Sequence, residues 1–401
     1  MEISELLIQW ALQDVERKKN NEEQCRKAKE RKLAYEKRKW EHLQELLASC
    51  PRDYFPIRER NTMSDIQTRI VMVGPTGVGK TSLLTAMYGA IRPFANDLKA
   101  TFFCSGGTAK ALQNKKNELV AISSGKGLKI SNDMLPPGTG ELREYDFTIE
   151  TPGDLEIDLR FIDQPGGWFS EGNATTIKSM QIAHASIWCV DAVALMEGDG
   201  GEHGLGDYHE MINEPDTIYN CYEKVIKDLP NEHCIVLVAF RAETYLKDKV
   251  KKEKFFHRLR TGYADRIKRL TKLTDKHISF KVCAVETLGN VVFHVWEEEE
   301  GHRPKATFRR TGKNGYLPSG CALPIAIALK QGIGRVIEDL EINRERREEF
   351  LNTGGFTGVW RWITGASKQT RYELEMFLGK IRKAGEFLNA LERKVEAEEN
   401  R

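Results

Sequence analysis

The sequence has no C-x-x-C pair, no apolar run of about 18 residues and almost no net charge, and each absence narrows what the chain can be. Its eight cysteines stand apart, at positions 25, 50, 104, 189, 221, 234, 283 and 321. Cys189, Cys234 and Cys283 fall inside apolar stretches, where cysteine serves as a small core residue in a reducing compartment. The expected location is therefore the cytoplasm. No segment is long and apolar enough to span a bilayer. The start, Met1 to Glu5, lacks the basic region and cleavage site of a secretory signal. A formal net charge of +2, from 61 basic and 59 acidic side chains, gives no global attraction to nucleic acid or membrane.

What is present is a charged, soluble composition of 401 residues, 40% hydrophobic and 30% charged, enough for two or three domains or one large domain with extensions. Residues 1–61 read as a helical extension and linker: apolar Leu6, Leu7 and Trp10, a mixed-charge run, then Leu43, Leu46 and Leu47. From 62 to 342 strand and helix signals alternate as in an α/β sheet. Strands are expected at 69–73, 144–149, 155–162, 186–190, 234–240 and 278–285. Helices are expected at 80–91, 173–184, 207–228, 248–273 and 322–342. The two strands flanking Pro152-Gly153-Asp154 alternate with period two and predict one antiparallel hairpin. The stretch 92–141 has no clear periodicity. A second hairpin, Val291 to Trp296 and Lys305 to Arg309, is expected within an insertion at 286–319. Residues 343–401 read as a charged helix, a Gly/Trp-rich bend and a final amphipathic helix.

One stretch carries the chemistry. After the β-branched strand ending at Val73, Gly74-Pro75-Thr76-Gly77-Val78-Gly79-Lys80-Thr81 matches G-x-x-x-x-G-K-[ST] and leads, through Ser82, into a helix. Glycines let several backbone N–H groups converge on one anion, and the helix begins with its positive dipole end there. Lys80 would reach the outer phosphates and the Thr81 hydroxyl would hold Mg²⁺. A second motif, Asp163-Gln164-Pro165-Gly166-Gly167, follows the hairpin. An Asp at a strand end can hold the Mg²⁺ shell, and Gly166 can offer its N–H to a γ-phosphate.

This order of strand, phosphate loop, long loop, β-hairpin and D-x-P-G resembles the GTPase class of Ras-like and translation-factor G domains, with a likeness to bacterial double-GTPase-like G domains over 66–342. The resemblance implies a mostly parallel sheet with one antiparallel strand, GTP or GDP with Mg²⁺, and a protein partner at the switch segments or helical ends. It also implies a switch threonine on Mg²⁺ and the γ-phosphate. Thr139 is the first candidate for it; Thr101, Thr108 and Thr148 compete.

Two departures stand beside the matches. Where the family reads guanine with N/T-K-x-D, this chain has Phe240-Arg241-Ala242-Glu243. Glu243 would replace the base-reading Asp and Arg241 the stacking lysine stem, or both are ordinary loop charges; ATP is not excluded. After D-x-x-G, where relatives carry a water-orienting Gln, this chain has Gly167, so hydrolysis is expected to be slow or to use Gln164, Glu171 or a partner's arginine. A nucleotide-binding scaffold with little turnover is the alternative. The His- and carboxylate-rich stretch 199–210 lacks ligand spacing and reads as a loop. Trp360, Trp362 and Ile363 are too few for a membrane anchor, and packing against the α/β domain is the expectation.

Overall fold

The computed structural model describes residues 66–124, 129–130, 140–152, 155–198, 207–230, 233–297, 303–311, 315–352 and 366–399. The chain divides into two units, Met1–Met63 and Ser64–Arg401, and every described residue belongs to the second. The helical extension at 1–61, Thr139, the loop 199–206 and the tryptophans at 360 and 362 lie outside the described residues.

The strands are β1 (Ile66–Val73), β2 (Thr101–Cys104), β3 (Lys129–Ile130), β4 (Arg143–Thr151), β5 (Leu155–Asp163), β6 (Ala185–Asp191), β7 (Cys234–Phe240), β8 (Ser279–Ala284), β9 (Val291–Glu297) and β10 (Lys305–Arg310). The helices are α1 (Lys80–Asp97), α2 (Gly106–Ser124), α3 (Gly167–Glu171), α4 (Ala174–Ile182), α5 (Ala192–Glu197), α6 (Tyr208–Asn213), α7 (Pro215–Val225), α8 (Glu243–Leu246), α9 (Lys249–Lys272), α10 (Leu323–Asn352) and α11 (Ala366–Glu399). Seven strands form one sheet in the order β2-β4-β5-β1-β6-β7-β8. β5, β1, β6, β7 and β8 run parallel, while β4 is antiparallel to β5 and β2 to β4. The expected α/β fold, mostly parallel with an antiparallel hairpin strand, is the one observed.

Apolar runs explain the central strands. Every residue of β6 and β7 is buried, as a parallel sheet covered on both faces requires. In β1 the side chains alternate: Ile70 and Met72 join a core with α1 and α10, Val71 and Val73 a core with α7 and α9. Outside this frame, stacked Phe102 and Phe147 (5.3 Å) and edge-on Phe147 and Phe161 (5.7 Å) tie β2 and β4 to β5. The final helix is used inside the chain. Ala384, Phe387, Leu391 and Val395 of α11 enter the α1–α10 core, and Lys394 pairs with Asp97 of α1 at 2.7 Å.

Three features depart from the sequence reading. The stretch 92–141 contains β2, α2 and β3; Leu112 and Leu119 of α2 are both buried, the first in the core with α1 and α10 and the second in the core with α7 and α9. The helix expected at 207–228 is broken at Glu214, which takes a left-handed conformation (φ +40°) before Pro215 opens α7. The helix expected to end at 342 continues to Asn352. The expected hairpin in the insertion does form, as β9 and β10, and is joined by β3 in a separate three-stranded sheet.

Helix α10 crosses β1 closely at Gly332, where an added Cβ would lie 2.4 Å from Thr68 Oγ1 and 2.5 Å from its Cγ2. Thr68 is wholly buried and β-branched, so it cannot turn aside. Gly332→Ala is expected to lower stability: overpacking costs about 1–3 kcal/mol against a helix-propensity gain of at most about 1 kcal/mol. The urea midpoint measures it, and a rise would show that the crossing has slack.

Candidate phosphate and metal site

The carboxyl ends of β5, β1, β6 and β7 lie side by side and carry, in that order, Asp163, the Gly74–Gly79 loop, Asp191 and Arg241. Such an edge is where open α/β sheets place their ligands. The loop turns into α1 at Gly79, whose φ of +103° favours glycine and whose missing Cβ would meet the Phe240 ring at 2.7 Å. Helix α1 begins with no side-chain cap and no acidic residue in its first turn. Its first N–H groups and dipole are thus left for an anion. Lys80 is buried and donates to the carbonyls of Gly74 at 2.8 Å and Pro75 at 3.2 Å. Burial lowers its pKa, with Asp163, Cys189 and Glu214 pulling it back up. A phosphate beside this ammonium would relieve that desolvation.

Thr81 Oγ1 donates to Asp163 Oδ2 at 2.8 Å, and both side chains are buried. Asp163 Oδ1 is buried with no protein partner among the described residues. Burial raises the Asp163 pKa, opposed by Lys80, Thr81 and Arg143. A hydroxyl and a carboxylate in contact, with one carboxylate oxygen unused, suit a hard cation such as Mg²⁺ that keeps much of its water shell. The donor set fits the ion.

Past Asp163 the chain presses against the loop. A Cβ on Gly166 would lie 2.0 Å from the backbone N of Thr76 and 2.2 Å from the carbonyl carbon of Pro75, so only glycine fits. Gly166 then leads into α3, where Phe169 is buried with its ring centroid 5.7 Å from the Lys80 ammonium. Gln164 is wholly buried, with neither end of its amide bonded among the described residues. A Cβ on Gly167 would make ordinary contact with Thr76 Oγ1 at 3.6 Å, but the residue has no side chain to hold a water.

The structure gives Arg241 and Glu243 other partners than a base. Arg241, at φ +59°, donates to Asp191 Oδ2 at 3.0 Å, and its guanidinium carbon lies 5.5 and 5.7 Å from the ring centroids of Phe240 and Phe308. Asp191 in turn caps α5 by accepting from Val193 and Ala194, and its backbone N–H donates to Asn213. Glu243 is 1% exposed, and its Oε1 accepts from the N–H groups of Leu288 at 2.8 Å and Gly289 at 3.3 Å, pinning the loop after β8. Glu243 Oε2 is buried with no partner among the described residues.

Of the four candidate switch threonines, two are used locally and a third stands away from the site. Thr148 donates to Asp158, five residues along β5 from Asp163 and so roughly 16 Å away. Thr101 pairs further out, opposite Glu150, and Thr108 accepts from the N–H of Asp146. Thr139 lies outside the described residues, four positions before Arg143, whose register opposite Asp163 brings the start of β4 to the site.

Sequence reasoning missed Asp191, although an acid closing a mostly apolar strand was its signal. Arg303 donates to the Thr76 carbonyl at 3.1 Å and pairs with Glu214.

Comparison with solved structures finds similarity to the signal recognition particle receptor SRb-GTP/SRX complex from Chaetomium thermophilum: 13% identity, TM-score 0.31, 55% of this chain and 94% of that chain. The S. cerevisiae Ski7 GTPase-like domain is also matched, bound to GDP and inorganic phosphate (14%, TM-score 0.29) and bound to GTP (17%, TM-score 0.28). Each Ski7 match covers 55% of this chain and 43% of that chain. No protein-family model matches the chain, and no curated protein does.

The Asp163 charge gives a signed expectation. Its raised folded pKa means that ionisation costs stability, so its contribution is greatest below the unfolded pKa and falls as pH rises through the folded one. Asp163→Asn, in chelator and without nucleotide, should gain stability relative to wild type between about pH 4 and pH 7. Urea midpoints at the two pH values test this, and the reverse trend would mean that Lys80 outweighs burial.

Proposed function

We propose that the chain is a Mg²⁺-dependent nucleotide switch that binds GTP and hydrolyses it slowly, acting in a reducing compartment such as the cytoplasm and signalling to a protein partner. One observation supports it above the rest: an uncapped helix start, a buried lysine and a Thr81–Asp163 pair with an unused carboxylate oxygen converge on a single loop. These are the needs of a polyphosphate and its cation.

The roles follow from position. Backbone N–H groups from Gly77 to Thr81 would cradle the inner phosphates and Lys80 would bridge the outer ones. Thr81 and Asp163 would hold Mg²⁺, which when bound neutralises charge across the β- and γ-phosphate oxygens. Gly166 would report the γ-phosphate through its N–H, moving α3 with it. Thr139 remains our candidate for the switch threonine. The buried Gln164 and the bare Gly167 favour slow turnover, since neither orients a water as placed. The lack of N/T-K-x-D at 240–243, where Glu243 Oε1 is taken by the loop after β8, keeps a second reading in which the base is adenine.

Lys80→Ala should weaken triphosphate binding roughly 100-fold or more, the loss of a charge-assisted contact in a dry site; unchanged affinity by calorimetry would remove the loop assignment. For the switch itself, GTP and GDP should protect 92–141 and 164–172 differently from limited proteolysis. Identical patterns would leave a binding scaffold.

A further inference from the structure

Arg303 reaches the phosphate loop from the small sheet. Its Nη1 donates to the Thr76 carbonyl at 3.1 Å, and its Nη2 pairs with Glu214 Oε1. The other oxygen of Glu214 accepts from the Ser170 hydroxyl of α3 at 3.2 Å. Thr76 is also the residue against which Gly166 packs. Thr76 therefore stands between the glycine assigned to the outer phosphate and the guanidinium, which puts this cation at the outer-phosphate end of the loop. A cavity of about 310 Å³, lined by Thr76, Gly77, Asp191, Arg241 and Arg303 among others, opens at the same place.

The two sides of the Arg303–Glu214 pair are held differently. The Arg303 side chain is 50% exposed, whereas that of Glu214 is 16% exposed and is held at the strained junction of α6 and α7. Glu214 is also one of the carboxylates whose field reaches Lys80. A multiply charged phosphate entering the loop would compete with this single carboxylate for a fork of donors that matches two phosphoryl oxygens.

We propose that Arg303 is a built-in catalytic arginine, which leaves Glu214 for the γ-phosphoryl oxygens when a nucleoside triphosphate fills the loop. This rests on the phosphate-loop reading above. In the step it serves, the oxygen of a water bonds to Pγ, and the bond from Pγ to the bridging oxygen breaks with its electron pair going to the β-phosphate. The water's proton leaves with the inorganic phosphate or to solvent, and nothing is oxidised or reduced. Arg303 stabilises the charge spread over the γ-oxygens in transit. Glu214 parks the guanidinium between turnovers and, through Ser170, links its position to α3. The arginine that relatives of this kind take from a partner would here come from the inserted hairpin.

The test is binding of GDP with Mg²⁺, with and without aluminium fluoride, read by calorimetry beside single-turnover hydrolysis of GTP, with ADP and ATP run in parallel. Wild type alone should gain at least roughly tenfold in diphosphate affinity from aluminium fluoride. Arg303→Ala should bind diphosphate within about threefold of wild type, gain nothing from aluminium fluoride, and hydrolyse roughly 10³-fold more slowly. Arg303→Lys, which keeps the charge but not the fork, should recover little. Arg309→Ala, an exposed charge on the same arm, should behave as wild type. Arg303→Ala that keeps both the fluoride effect and the rate would overturn the proposal, as would a wild type that binds diphosphate but ignores aluminium fluoride. Wild type that binds no nucleotide would instead overturn the phosphate-loop reading.

Discussion

The parallel pairing of β1 with β5 sets Met72 opposite Asp163, and the site depends on that register. Two residues after Met72 the chain enters the phosphate loop, and α1 then returns Thr81 to within 2.8 Å of the Asp163 carboxylate. A slip of one position would turn Asp163 to the opposite face of the sheet and leave Thr81 without its acceptor. The close approach of Gly166 to Thr76 is the second half of the same constraint, because the turn after β5 must lie on the loop that follows β1.

Two groups of buried charge divide the work along this edge. Lys80 and Asp163 are both penalised by burial without being bonded to each other, and Asp163 Oδ1 has no partner among the described residues, so both stand ready for external charge. Arg241 and Asp191 are matched: the guanidinium lies by two aromatic rings, and the carboxylate also caps α5. Breaking such a pair by removing one partner costs about 3–5 kcal/mol, so this second group is rigid scaffolding beside a reactive one. Arg303 belongs to neither, being half exposed and bound to a carboxylate it can exchange.

The phosphate loop, the hairpin before Asp163 and the central strands could be read from local pattern, because backbone turns and two-sided burial leave direct marks on residue type. Helix α2 could not, since only Leu112 and Leu119 of its apolar residues are fully buried and its other faces are polar. The break at Glu214 was marked by Pro215, yet the residue's bond to Arg303 spans 89 positions and leaves no local trace. Glu243 shows the limit most clearly. Its offset from the β7 strand suggested base reading, and its Oε2 has no partner among the described residues, but its Oε1 is bound by the loop at 287–289, a contact 45 residues distant that spacing does not encode. Buried charge had a readable signal, an acid or base closing an apolar strand, but its partner had none.

The central claim is that this loop holds the phosphates of a nucleotide with Mg²⁺. Competition binding of GTP, GDP, ATP and ADP to the intact chain, with and without Mg²⁺, tests it most directly. The account predicts binding of a guanine nucleotide, tighter for the triphosphate when Mg²⁺ is present, and a preference for adenine would change the base while keeping the site. Absence of binding by all four nucleotides would contradict it.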